Sequence, residues 1–487
     1  MQNSRLISLI KLLSPGELRR FTAFVHSPFF NQQEKVRHLW QLISDTGPHF
    51  SGPDLSKEIL YESLFQEPPN TSYQPLHDQM SLLLRLFELF LATRQFLQNE
   101  DQQSQNLLQG LISQGESGDH VSRVYEKSIR KLDQAAIKDH RYYLRRYELM
   151  TVEDHLSSQQ RRGWGQDYGQ RIEQLDIFYV ATKLRYVCEI LNRKGLAGAE
   201  NLEEKIREIE ELFSHLTEEG QQLPTIQLYY QVFNMLAEPE VEGHYQKLVK
   251  LLRQNVQEFS QSEAYNLYAY AQNYCIKKIN KGSAKYQDEL FQLYKILLQE
   301  GLLIEGGTLA HAHFKNITTL GLRMQDYDWV REFLSTYKDK LLEPVRESAY
   351  TYNLASYYYE TKDYKAAMKL LQQVDFTDVF YDLSGRVMLL KIFYEISDWD
   401  SIRYATEAFK GFLKRHKEIP KSYHQLHYNF LMFVRKLARL NQQNKRQDPA
   451  DFLPRWEKAQ QSLKEQPQIA QRKWIEDKLR YLRPLPA

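Results

Sequence analysis

Cysteine occurs only twice in the chain, at Cys188 and Cys275, far apart and each inside an apolar helical pattern. That excludes a disulfide-stapled scaffold and fits reduced, buried thiols, hence a cytoplasmic protein. Glycine and proline are scarce, 20 and 16 in 487 residues, which leaves little room for long disordered linkers. Neither sign of charge prevails: 64 Lys plus Arg against 62 Asp plus Glu leave a net +2, so any nucleic-acid or membrane surface has to be local. Long hydrophobic runs are missing too. The longest apolar stretch, Met80 to Leu91, is interrupted by Ser81, Arg85 and Glu88 and falls far short of the roughly 20 residues of a membrane span. The segment Met1 to Lys11 lacks the apolar region and small-residue cleavage site of a signal peptide. Phosphate-loop, GxGxxG, GxSxG and HExxH motifs are absent, so the sequence predicts neither an enzyme nor a cofactor.

What is present is helical periodicity and tyrosine, 32 of them. Tyrosine combines an apolar ring with a polar tip and suits helix packing beside a solvent-exposed groove. His244-Tyr245-Gln-Lys-Leu-Val-Lys-Leu-Leu252 matches Asp363-Tyr364-Lys-Ala-Ala-Met-Lys-Leu-Leu371, and related segments start at Lys285-Tyr286, Asp326-Tyr327 and Asp398-Trp399. The anchors Tyr245, Tyr286, Tyr327, Tyr364 and Trp399 are 41, 41, 37 and 35 residues apart, which is a repeat length. Within Ser348 to Val374 the spacing predicts two amphipathic helices, with Leu354, Ala355 and Tyr358 on one face of the first. Ala367, Leu371 and Val374 share a face of the second.

Those positions resemble the tetratricopeptide pattern. Leu354, Ala355, Tyr358, Ala367 and Leu371 fill matching places, whereas Thr351 stands where an aromatic is usual, no proline closes the unit, and Ile402 replaces a small residue in the next one. The resemblance covers residues 225–440. It implies an all-α fold in which an N-terminal helical domain is followed by a right-handed α-solenoid of antiparallel helix pairs, each too small to bury its apolar face without its neighbours.

Upstream, residues 121–224 read as divergent helical units interrupted at Arg161–Gly165 and Lys194–Gly198. Residues 1–97 form a separate helical domain, with helices expected at 3–13, 15–25, 32–45, 55–65 and 72–97. Ser14-Pro15-Gly16-Glu17 is a helix start with a capping box. A polar connector, 98–120, holds at most a short helix at 106–113. After a polar break from Asn441 to Pro454, two short helices within 441–487 cap the array.

Candidate chemistry is sparse. The pairs His311/His313 and His424/His427 lack further ligands at metal-binding spacing, and Glu203, Glu204, Glu208, Glu210 and Glu211 interleave with Lys205 and Arg207 as a solvated face. Arg123, Lys127, Arg130, Gln134, Lys138, Arg141 and Arg145 recur every three or four positions. On one continuous helix, with Tyr142 and Arg146 alongside and Tyr125, Ile129, Leu132, Ala136, Tyr143 and Tyr147 toward the core, they would form a basic stripe able to meet phosphates or an acidic peptide. A turn capped by Asp139 would split it. The segment Leu55–Phe65, a Pro68-Pro69-Asn70 turn and the helix from Ser72 loosely resemble a helix-turn-helix, but Met80, Leu82 to Leu84, Leu86, Phe87, Leu89 and Phe90 make the second helix apolar nearly all round.

The functional expectation is a non-enzymatic scaffold that holds a peptide or partner protein in the groove of its helical array. Tyr268, Asn273, Tyr352, Asn353 and Tyr359 are the candidate contacts, because they flank the packing positions of first helices. The alternative is nucleic-acid binding or transcriptional regulation through residues 123–146 or the N-terminal domain.

Overall fold

A computed structural model describes residues 1–68, 72–116, 119–160, 168–193, 202–444 and 449–483. It is all-helical apart from a two-residue antiparallel pairing of Ile304–Glu305 with Thr308–Leu309 among the described residues. No helix there is long and apolar enough to cross a membrane. The interruptions expected at Arg161–Gly165 and Lys194–Gly198, part of the 68–70 turn and part of the 441–454 break lie outside the described residues. The chain divides into two compact units, Met1–Phe178 and Tyr179–Ala487, a coarser division than the five segments expected.

The first unit contains α1 (Arg5–Ile10), α2 (Pro15–His26), α3 (Glu34–Ser44), α4 (Lys57–Phe65), α5 (Gln74–Gln98), α6 (Glu100–Ser113), α7 (Asp119–Asp133) and α8 (His140–Gln160); the division falls inside α9 (Tyr168–Asn192). The capping box forms as the sequence predicts: Ser14 Oγ accepts from Glu17 N–H at 3.3 Å, and the Glu17 carboxylate accepts from Ser14 N–H at 2.8 Å. These bonds hold the Glu17 carboxyl below its ordinary range. Phe21 ties α2, α3 and α5 together, with ring centroids 4.7 Å from Trp40 and 5.2 Å from Phe87.

Two expectations change in this unit. The helix α5 is not buried all round: Leu76, Met80, Leu83, Phe87 and Phe90 form its buried face, while Leu89 is exposed. Its leucines outnumber the positions that a single neighbouring core can cover. The polar connector contains the full helix α6, begun by Asn99, whose Oδ1 accepts from Gln102 N–H at 3.1 Å. Gln103 in turn donates to the carbonyls of Phe96 and Leu97 at the end of α5, so side-chain amides that read as loop composition serve as helix caps.

The second unit continues with α10 (Leu202–His215), α11 (Glu218–Gln222), α12 (Pro224–Ala237), α13 (Glu242–Asn255), α14 (Gln261–Asn280), α15 (Lys285–Gln299), α16 (His311–Arg323) and α17 (Tyr327–Tyr337). Then come α18 (Glu343–Glu360), α19 (Tyr364–Gln373), α20 (Val379–Glu395), α21 (Trp399–Arg415), α22 (Lys421–Asn444), α23 (Pro449–Glu465) and α24 (Arg472–Tyr481). From α12 to α21 each even-numbered helix packs on the helix that follows it. In addition α12 packs on α14, α16 on α18, α18 on α20, α20 on α22, and α22 on α24.

The turns explain the aromatic anchors. Tyr327, Tyr364 and Trp399 are the first residues of α17, α19 and α21, and each follows an aspartate and a residue with positive φ: Gln325 (59°), Lys362 (65°) and Ser397 (58°). The positive-φ residues close the preceding helices, donating to the carbonyls of Leu322, Tyr359 and Tyr394, each at 3.1 Å. Asp363 and Asp398 then cap the next helix by accepting from Ala366 and Ser401 N–H at 3.0 Å. Asp326 instead pairs with Lys295 at 2.9 Å. In α14 a glycine, Gly282 at φ 96°, does the closing.

Close helix crossings need small residues. A Cβ on Gly321 would meet Val330 Cγ2 at 2.5 Å and the Phe291 ring at 3.3 Å, and Ala355 and Ala367 are fully buried against Leu371, Met388 and Ile392. Gly321→Leu is therefore expected to cost about 1–3 kcal/mol by overpacking. Lys362→Gly, which copies Gly282, should gain about 0.5–1 kcal/mol by relieving left-handed strain. Denaturant midpoints at constant m-value check both signs.

Candidate functional site

Three first helices of the second unit present polar and aromatic side chains to one cleft of about 990 Å³. Thr319 and Arg323 on α16, Tyr352, Ser356 and Tyr359 on α18, and Met388, Lys391 and Glu395 on α20 line it. Spacings of three and four residues put each set on a single helix face. Trp474 and Lys478 of α24 complete the wall.

Glu395 organises one end. Its Oε1 accepts from Tyr359 Oη at 3.3 Å and from Trp474 Nε1 at 3.2 Å, and its Oε2 accepts from Lys478 Nζ at 2.7 Å. Trp474 also packs edge-on against Tyr394 at 5.3 Å, whose hydroxyl pKa burial pushes up to about 12. Burial raises the Tyr359 hydroxyl as well.

The lysines behave differently. Lys391 Nζ lies 4.4 Å over the Tyr359 ring, and among the described residues no carboxylate stands within ion-pair distance of it. One turn before Thr319 on the same face of α16, Lys315 Nζ is 4.9 Å from the Tyr352 ring centroid, 5.5 Å from that of Tyr381 and 3.4 Å from Ser384 Oγ. Burial lowers the pKa of both ammonium groups. A cation over an aromatic ring gains about 0.5–2 kcal/mol, while desolvating an ammonium costs several kcal/mol, so desolvation prevails and both charges are held at a cost in stability.

The expected contact residues scatter relative to this cleft. Tyr352 and Tyr359 line it. Asn353 does not, because one residue is a rotation of about 100° around the helix; it is 1% exposed and donates to Ala349 O at 2.7 Å. Tyr268 is likewise 1% exposed in the packing of α14. Asn273 is half-buried and reaches Asn192 Oδ1 at 3.5 Å. Sequence reasoning missed Ser356, Lys391, Glu395, Trp474 and Lys478. The signal for the α20 residues was there, in Ser384, Lys391 and Glu395 recurring at helical spacing within a mostly apolar segment.

The basic stripe is not continuous. Helix α7 ends at Asp133, and the Asp139 carboxylate accepts from Arg141 N–H (2.9 Å) and Tyr142 N–H (3.3 Å) at the start of α8. Arg123, Lys127 and Arg130 are exposed on α7, Lys138 lies in the turn, and Arg141 and Arg145 belong to α8. Several charges are internally neutralised: Arg145 pairs with Asp101 at 2.6 Å, Arg146 with Asp133, Lys131 with Glu100, and Arg130 approaches Glu126 at 3.9 Å. Tyr142, expected beside the stripe, is buried with Tyr143, while Ala136, expected in the core, is exposed. The histidines make ordinary hydrogen bonds, His311 with Tyr381 Oη (3.3 Å), His313 with Tyr265 Oη (3.1 Å), His424 with His416 O (3.2 Å) and His427 with Tyr423 O (2.8 Å).

No protein-family model, curated protein or solved structure matches the chain.

Removing the Glu395 carboxylate leaves three donors without their acceptor. Glu395→Ala should cost about 2 kcal/mol, the scale of a charge-assisted hydrogen bond, and amide exchange across Arg472–Tyr481 should accelerate. Unchanged exchange there would show that α24 is held by its apolar face alone.

Proposed function

We propose that this protein is a non-enzymatic binding scaffold whose second unit holds an extended peptide or partner segment along the faces of α16, α18 and α20. In this reading the packed helix pairs form a right-handed, tetratricopeptide-like solenoid of antiparallel hairpins, and the protein works in the cytoplasm. The supporting observation is the cleft itself: about 990 Å³, with tyrosine rings, polar and charged groups drawn from six helices, α16, α18, α19, α20, α22 and α24. Its volume lies at the upper end of the roughly 300–1,000 Å³ typical of small-ligand pockets, and faces repeated on adjacent helices suit an extended ligand. Phosphate binding through residues 123–146 is the weaker alternative, since the break at Asp139 and the pairs at Arg145 and Arg146 leave no continuous positive tract.

Ser356 sits in the floor of the cleft with its hydroxyl donated to Tyr352 O at 2.9 Å, so Ser356→Trp fills the space from within. Partner proteins recovered with the intact chain from its own cells should be lost with Ser356→Trp and kept with Arg130→Ala on α7. Equal recovery with both variants would rule out the cleft as the docking site.

A further inference from the structure

We infer that the occupant of this cleft is an extended acidic segment of a partner protein, with one carboxylate at Lys391 and a second, about three residues away, at Lys315. This rests on the groove reading above and adds the chemistry of the ligand. Five cationic groups line the cleft, Arg323, Lys362, Lys391, Lys473 and Lys478, against three carboxylates, Glu360, Glu395 and Asp477. Lys478 and Glu395 satisfy each other at 2.7 Å. None of the other four cations has an ion-pair partner among the described residues. The lining thus carries a net positive excess, which suits an anionic ligand.

Lys391, in the lining, and Lys315, over the ring of the lining residue Tyr352, are the seats because both side chains are partly buried. Each has its ammonium against a tyrosine ring and, among the described residues, no carboxylate within ion-pair distance, Glu360 and Glu395 acting on Lys391 and Asp378 on Lys315 only from further off, so an incoming carboxylate supplies a direct charge partner. Their separation follows from α20: Lys315 reaches Ser384 Oγ, and Lys391 lies seven residues further along the same helix, a rise of about 10 Å. Extended chain advances about 3.3 Å per residue, which places the two acids three positions apart.

The same geometry disfavours a nucleic acid. Glu360, Glu395 and Asp477 share the wall and would repel a continuous phosphate backbone, whereas a peptide can present neutral residues to them. The tyrosine rings are also committed to one another, Tyr352 to Tyr381 at 5.6 Å and Tyr359 to Tyr364 at 5.7 Å, which leaves little ring surface for stacking bases.

The test is fluorescence anisotropy of the full chain with labelled twelve-residue peptides carrying glutamate, lysine or serine at every third position of a common serine and alanine background. The glutamate peptide is expected to bind at least tenfold more tightly than the other two, and Lys391→Met and Lys315→Met are each expected to weaken it about tenfold while Lys391→Arg retains it. Thermal unfolding of the same variants verifies that they fold. If all three peptides bind alike and Ser356→Trp abolishes their binding, the acidic preference is wrong and the groove stands. If the glutamate peptide binds Ser356→Trp as well as the parent, the groove itself is wrong. An oligothymidine of the same length that displaces the glutamate peptide and binds more tightly overturns the assignment in favour of nucleic acid, and no binding by any peptide overturns it outright.

Discussion

The second unit depends on how sharply the chain reverses between the two helices of a pair. A reversal within two or three residues needs one residue in the left-handed region, and Gln325, Lys362 and Ser397 adopt that conformation without being glycine, at a cost of about 1–2 kcal/mol each. The hydrogen bonds that close the helix and the aspartate that starts the next one offset the strain. An aromatic then follows at once, so that Tyr364 meets Tyr359 and Trp399 meets Tyr394, both at 5.7 Å across the turn. With that contact made, the crossing can be close only over a small side chain, which is why Gly321, Ala355 and Ala367 lie where they do. The turn thus sets the rotation of each first helix, and the rotation sets which side chains face the cleft.

That cleft shows two ways of treating charge. Glu395 is placed among three donors and contributes to holding α24. Lys315 and Lys391 have half-buried stems and ammonium groups in direct contact with ring faces and, for Lys315, one hydroxyl, while the carboxylates that act on them stand beyond ion-pair distance. A protein selected for stability alone would place methionine at such positions; retained desolvated charge is characteristic of sites whose use conflicts with stability. The proposed acidic ligand reconciles the two, because its carboxylates complete what the fold leaves unpaired.

Much of the architecture was legible because large aromatics recur at the starts of second helices, and because helices in the first unit carry their caps in sequence, as at Ser14 and Glu17. The break at Asp139 was legible for the same reason: a short acidic side chain before a helix is a cap wherever it occurs. The left-handed turns were not, since lysine, serine and glutamine at those positions give no glycine signal. Helix α6 was hidden by glutamines that act on the helix end before it. In the site, Tyr352 and Tyr359 were reachable by face counting, and Asn353 failed by a single residue of rotation. Trp474 and Lys478 could not be read at all, because nothing local ties residues near the C-terminal end to Glu395, 79 and 83 positions away.

The claim that the first-helix faces form the binding surface is tested most directly by hydrogen–deuterium exchange of the full chain with and without its co-purified partner. Protection gained on α16, α18, α20 and α24, with α17, α19 and α21 unchanged, is the result expected. Protection confined to the second helices, or to α7 and α8, would contradict it.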